Sequence, residues 1–236
     1  MFTESADIYD LVYSFKDYQK ESEEIISAIK AKRPDGKSIL DIGCGTAEHH
    51  KYLKNKFLID GLDINGEFIK SAKAKNQGGS YHVADMTNFN LNKRYDIIIC
   101  LFSSIGYVKT VDKLTSTMKC FNDHLNDNGL IIVEPWFTPD TWYNGKLHML
   151  THDKGDIKIC RMNISESNGK LSVINFHYLL GTPDKGVRHF EERHELAMFT
   201  KEEMIKAFKD ADFKVSHDEH GLIVRGMYYG TKKNVA

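Results

Sequence analysis

The sequence predicts an α/β protein: a doubly wound, mostly parallel sheet preceded by two helices and carrying an inserted antiparallel meander. Three observations lead there. Short apolar runs alternate with helical patterns over residues 38–133, as successive βαβ units require. A glycine turn joins the first of those runs directly to a helix. Over residues 139–199 the helices drop out, and strand-like runs follow one another with turn residues between them.

At the N-terminus, Ile8, Leu11, Val12 and Phe15, then Ile25, Ile26 and Ile29, recur at helical spacing with a break at Lys16-Asp17-Tyr18. Two helices with an aromatic turn between them are expected. Arg33-Pro34-Asp35-Gly36 is a turn signal, and Ser38-Ile39-Leu40-Asp41-Ile42 reads as a short buried strand running into Gly43-Cys44-Gly45-Thr46-Ala47 and a helix. Further strands are expected at 57–62, 80–83, 95–101 and 130–133, with helices at 67–75 and 111–125. The meander supplies strands at 158–164, 171–179 and 189–199, separated by Ser167-Asn168-Gly169 and Thr182-Pro183-Asp184-Lys185-Gly186. Thr200-Lys201-Glu202-Glu203 reads as a capping box opening a helix that ends near Asp210. Strands at 213–216 and 222–229 complete the sheet.

A chain of 236 residues, 41% of them hydrophobic, suits one domain with a sizeable core. Its 32 basic and 33 acidic residues create no basic field of the kind that gathers phosphate backbones, which argues against nucleic acid. No apolar stretch approaches the ~18 residues a spanning helix needs, and Met1-Phe2-Thr3-Glu4 is polar and acidic where a signal peptide is basic and then apolar. A cytoplasmic protein is expected. Cys44, Cys100, Cys120 and Cys160 are too scattered for a metal cage or disulfide framework and read as reduced thiols. His49, His50 and His82 could be imagined as ligands, but isolated histidines usually pack or face solvent. No metal is expected.

Chemistry enters at the glycine turn. Glycines after a buried strand let the backbone approach a ligand, and the helix that follows presents unpaired N–H groups. The same turn also serves as an ordinary strand-to-helix connection, so its context decides. Asp63, 18 residues after Gly45, closes the second strand, where a carboxylate can accept hydrogen bonds from two ribose hydroxyls. Asp41 stands just before the turn, where it would repel a pyrophosphate and attract an ammonium group. The third strand ends in Val83-Ala84-Asp85-Met86, an acid for an adenine amino group beside an apolar side chain for its ring. Asp85 can equally be read as a helix cap.

Asp41-Ile42-Gly43-Cys44-Gly45-Thr46, Asp63, Asp85-Met86 and Tyr95-Asp96-Ile97-Ile98 together resemble the ordered motifs of class I S-adenosylmethionine (SAM) dependent methyltransferases, although Ala47 stands where that family often has another glycine. A Rossmann-like methyltransferase sheet is thus implied. Asp7-Ile8-Tyr9-Asp10, Phe102-Ser103-Ser104-Ile105-Gly106-Tyr107, Val133-Glu134-Pro135-Trp136-Phe137, Gly186-Val187-Arg188-His189-Phe190 and 221–226 further resemble the N,N-dimethyltransferases of dTDP-linked amino-deoxyhexoses. The similarity runs over nearly the whole chain. It implies a single methyltransferase domain: a helical lid (1–32), a SAM-binding core (37–136), an antiparallel insertion (139–199) and a C-terminal helix and strands (200–236). It also implies a homodimer through the meander.

The resemblance implies roles for particular residues. Tyr18, Asp41, Gly43, Gly45, Asp63, Ile64, Asp85, Met86 and Leu101 would meet SAM, with Lys16 a lesser candidate beside Tyr18. Tyr9 and Tyr107 would line the reacting amine, or else simply pack over the cofactor. Ser104, Glu134, Trp136, Arg188 and Arg225 would meet the nucleotide sugar, the two arginines as bidentate partners of its diphosphate. In-line methyl transfer needs little beyond holding a neutral amine in a dry pocket, though an amine that arrives protonated must lose a proton. The motifs do not report the acceptor, so another small-molecule amine or hydroxyl remains an alternative. A nicotinamide oxidoreductase would want a third glycine and no acid at Asp41, and a noncatalytic SAM-binding protein would have a blocked pocket.

Overall fold

A computed structural model describes residues 2 and 4–233 of the chain. A 3-10 turn, Ala6–Ile8, leads into α1 (Tyr9–Val12) and, after an aromatic turn, α2 (Tyr18–Lys32). Asp17 caps α2 by accepting the Lys20 N–H at 2.9 Å. The core units follow: β1 (Ser38–Ile42), α3 (His50–Leu53), β2 (Leu58–Asp63), α4 (Gly66–Lys75), β3 (Tyr81–Val83), β4 (Tyr95–Cys100), α5 (Val111–Asp123) and β5 (Leu125–Val133). An antiparallel hairpin series comprises β6 (Leu147–Lys154), β7 (Ile157–Asn168), β8 (Leu171–Thr182) and β9 (Gly186–Ala197), after which α6 (Lys201–Asp210), β10 (Phe213–Asp218) and β11 (Met227–Lys232) close the fold.

The main sheet has the order β10-β11-β5-β4-β1-β2-β3, parallel from β5 to β3, with β11 antiparallel to β5 and β10 antiparallel to β11. Its central strands are apolar runs because helices cover both faces. Ile25, Ile26 and Ile29 of α2 pack against Ile39, Ile97 and Ile99 on one face. Leu114, Met118 and Phe121 of α5 and Met204 and Phe208 of α6 pack against Leu40, Ile98 and Ile131 on the other. The strand order reverses between β1 and β4, so a crevice opens beyond their C-terminal ends.

The expected architecture is present, with local differences that have physical causes. The helix after the glycine turn is a single turn, His50–Leu53. The strand β6 was not expected, because its residues are almost all exposed and lack alternation. The last strand begins at Met227 and not near Leu222, since Gly221, Val224 and Gly226 take positive φ and reverse the chain first. Among the described residues, no helix is long and apolar enough to cross a membrane.

Candidate active site

A cavity of about 690 Å³ lies at the crevice and extends to the antiparallel sheet. Its first part is built by the glycine turn and the ends of β2 and β3. Gly43 and Gly45 have φ of +69° and +54°. A Cβ at Gly43 would lie 2.6 Å from the Ser104 Cβ, whereas one at Gly45 would meet no atom of the described residues within 4 Å beyond its own chain neighbours. Gly45 therefore keeps a cradle open toward the cavity it lines.

Asp63 accepts the Gly45 N–H at 2.9 Å and the Asn65 N–H at 2.8 Å, one on each carboxylate oxygen. Each oxygen retains acceptor capacity. Burial holds its carboxyl above the usual range. Asp85 accepts the Thr87 N–H at 2.8 Å, and Asp85, Met86 and Ile64 also line the cavity. Asp41 is buried beside them but outside the lining; His50 Nε2 is 3.0 Å from it, and His50 Nδ1 is 2.8 Å from the Tyr81 hydroxyl. His49 meets Glu21 at 2.8 Å, so these two histidines are engaged in packing contacts. Leu101 is buried in the core and is not among the lining residues.

The second part is aromatic. Tyr9, on α1, packs against Phe2, Tyr13 and Phe68 at centroid distances of 5.0, 4.7 and 4.8 Å. Tyr107 reaches the same cavity from the 3-10 turn Ser104–Val108. Burial raises both phenols well above the ordinary tyrosine range, so neither is a phenolate near neutral pH. Tyr18 sits outside this group, edge-on to His49 at 4.9 Å, with Lys16 Nζ 5.3 Å from its ring centroid.

The third part is cationic. Arg225 is drawn in from the turn before β11, its guanidinium 5.0 Å from the Trp136 ring and one nitrogen 3.6 Å from Glu134 Oε1. Glu134 Oε2 accepts the Phe102 N–H at 2.7 Å. Among the described residues, Arg225 Nε and Glu134 Oε1 are buried without a hydrogen-bond partner, which leaves donor and acceptor capacity beside the cavity that Arg225 lines. Desolvation raises the Glu134 carboxyl above its usual range, and Arg225 opposes that rise.

The structure thus brings together Tyr9, Tyr107, Gly43, Gly45, Asp63, Ile64, Asp85, Met86, Ser104, Trp136 and Arg225 around one cavity. It leaves Arg188 on the exposed surface of β9, near Phe190 and away from that lining. The cavity draws instead on Arg161 and Arg193 of the meander, with Tyr13 and His194, none of which the sequence singled out. Arg161 donates to the Tyr13 hydroxyl at 3.0 Å and lies 4.4 Å from the Phe176 ring centroid. Alternation along β7 and β9 marks inward positions, but a meander's inward face becomes a site only once the sheet is docked.

A family profile described as a methyltransferase domain matches residues 14–218. A Streptomyces fradiae protein named dTDP-3-amino-3,6-dideoxy-alpha-D-glucopyranose N,N-dimethyltransferase is 32% identical over 230 residues, covering 96% of this chain and 90% of its own. The crystal structure of Streptomyces venezuelae DesVI superposes with a TM-score of 0.92 at 30% identity, over 99% of this chain and 100% of that one. SAM-bound CalS10, an amino pentose methyltransferase from Micromonospora echinaspora, gives 0.87 at 26% identity, over 99% and 98%.

Proposed function

Because the chain belongs to the methyltransferase domain family and, within it, to the sugar N,N-dimethyltransferases, we propose that it transfers methyl groups from SAM to the amino group of a dTDP-linked amino-deoxyhexose. The observation that carries the substrate assignment is the joining, in one cavity, of a glycine and carboxylate half to an aromatic and cationic half. SAM, when bound, supplies an electrophilic methyl group.

In this reading Gly43 and Gly45 admit the methionine portion, and Asp41, buried next to the turn and held by His50, supplies negative charge behind its ammonium group. Asp63 receives the two ribose hydroxyls, Asp85 the adenine amino group, and Met86 and Ile64 flank the base, with Leu101 supporting the floor. Tyr18 and Lys16 close the carboxylate end. Tyr9 and Tyr107 line the amine and exclude water, so the nucleophile approaches in a fixed geometry. Ser104, Trp136 and Glu134 shape the sugar pocket. Arg225, with Arg193 and Lys113 of the lining, answers the diphosphate, a role for which Arg188 stands too far out on β9.

The test is to incubate the protein with SAM and a panel of dTDP-amino-dideoxyhexoses bearing the amine at position 3 or 4, and to follow product mass. Successive gains of one and then two methyl groups on one member are expected. No gain on any member, with SAM still binding, overturns the acceptor.

A homodimer belongs to the same proposal. Leu147, Met149, Met162, Ile164, Leu179 and Val187 share one face of the β6–β9 sheet by register, and each is between 42% and 76% exposed. Such a set of exposed apolar side chains, interrupted on the same face by His177, His189 and Glu191, suits burial against a second copy. Light scattering is expected to give a dimeric mass for the parent and a monomeric one for a Met149→Lys, Val187→Lys double variant. A parent that runs as a monomer at micromolar concentration overturns it.

A further inference from the structure

His194, on β9, is 1% exposed and lines the cavity. Its Nδ1 is 2.7 Å from the Tyr107 hydroxyl, and its Nε2 lies 3.7 Å from Glu192 Oε2 with no hydrogen bond among the described residues. Glu192 is itself buried and accepts the backbone N–H of Ser5 at 3.0 Å and the Ser5 hydroxyl at 2.5 Å. A carboxylate, an imidazole and a hydroxyl therefore follow one another, and Tyr107 and His194 both line the cavity.

The order of these groups selects a tautomer. A carboxylate near Nε2 favours a proton there, which leaves the Nδ1 lone pair free to accept from the tyrosine hydroxyl. We propose that His194 is a positioning residue that takes up, through Tyr107, the proton an acceptor ammonium must shed before it can be methylated. The assignment rests on the amino-sugar reading given above. The ammonium gives a proton to the Tyr107 oxygen as the Tyr107 O–H gives its own to His194 Nδ1. One N–H bond breaks on the substrate and one N–H bond forms on imidazole; the amine keeps the electron pair and becomes the nucleophile, while tyrosine stays neutral throughout.

Two further features suit this relay. The Tyr107 hydroxyl, raised by burial, is a poor base by itself but an adequate conduit. Burial also lowers the His194 imidazole below its usual range, which keeps it neutral near pH 7. The groups facing it are Tyr107 from the 104–108 turn, Glu192 on its own strand, Arg161 from β7, and the rings of Phe2 and Phe176 at 4.4 and 5.1 Å. Glu192 favours the imidazolium once formed; Arg161 and desolvation disfavour it.

The first test needs no acceptor. In imidazole-¹⁵N-labelled protein, with His194 assigned by the loss of its signals in His194→Gln, neutral His194 should carry its proton on Nε2, and its pKa should move in Tyr107→Phe. A proton on Nδ1, donated to Tyr107, overturns the relay whether or not any sugar is methylated. The second test is kinetic. His194→Gln is expected to bind SAM within about threefold of the parent while kcat at pH 7 falls roughly 100-fold, the usual scale for a lost general base. The variant's rate should then rise nearly tenfold per pH unit from 6.5 to 8.5, as free amine becomes available, where the parent is flat. A variant that keeps the parent's rate and flat profile gives His194 a packing role only.

Discussion

Asp63→Asn is expected to weaken SAM binding by about 100-fold or more, measured by titration calorimetry, while the protein remains folded. A carboxylate already holding the Gly45 and Asn65 N–H groups has acceptor capacity left for two hydroxyls. Hydrogen bonds to a charged group contribute about 1.5–3 kcal/mol each, so losing both spans roughly 10² to 10⁴ in affinity. The amide also fails locally: its NH₂ must face one of two backbone donors, either Gly45 or Asn65, and the glycine turn loosens. Asp63→Ala should lower the thermal midpoint further because both N–H groups then lose their partner. Affinity within threefold of the parent in Asp63→Asn would take the ribose role away from this carboxylate.

Removing Arg225 is expected to cost both substrate recognition and stability, and the stability loss should depend on pH. Arg225→Ala leaves Glu134 buried without its cation, and breaking a buried pair from one side typically costs about 3–5 kcal/mol. Glu134 can escape part of that by taking a proton. Its folded carboxyl is already raised by desolvation and is lowered by Arg225, so the variant's carboxyl rises higher still. For an acid whose folded pKa exceeds the unfolded value of about 4.3, the penalty is absent below the unfolded pKa and grows as pH rises through the folded one. The midpoint depression relative to the parent should therefore be smaller near pH 5 than near pH 8 in calorimetry. An equal depression at both would mean that Glu134 does not carry it. Arg225→Lys should spare stability better than alanine yet still raise the KM for the nucleotide sugar, because a single ammonium cannot reproduce the planar fork.

What the sequence determined by itself is the part of the molecule whose reasons are local. Asp41, Gly43, Gly45, Asp63, Asp85 and Met86 each stand at a strand end or in the turn after it, and the demands there are met within a few residues: an apolar run, a positive φ, a side chain that can cap or receive. The crevice, the glycine and carboxylate half of the cavity and the helix opened by the Thr200 capping box were therefore legible in order along the chain. Tertiary structure alone decided the rest. Arg188 and His194 share β9 and its parity, but six residues separate them, about 20 Å of extended strand, and docking of the meander puts His194 at the cavity and Arg188 in solvent. Arg161, Tyr13 and Glu192 likewise meet their partners across 148 or 187 positions of chain. A side chain's face on a strand follows from register, and a slip of one residue would reverse it; register is fixed by what the whole sheet packs against, which no short stretch of sequence records.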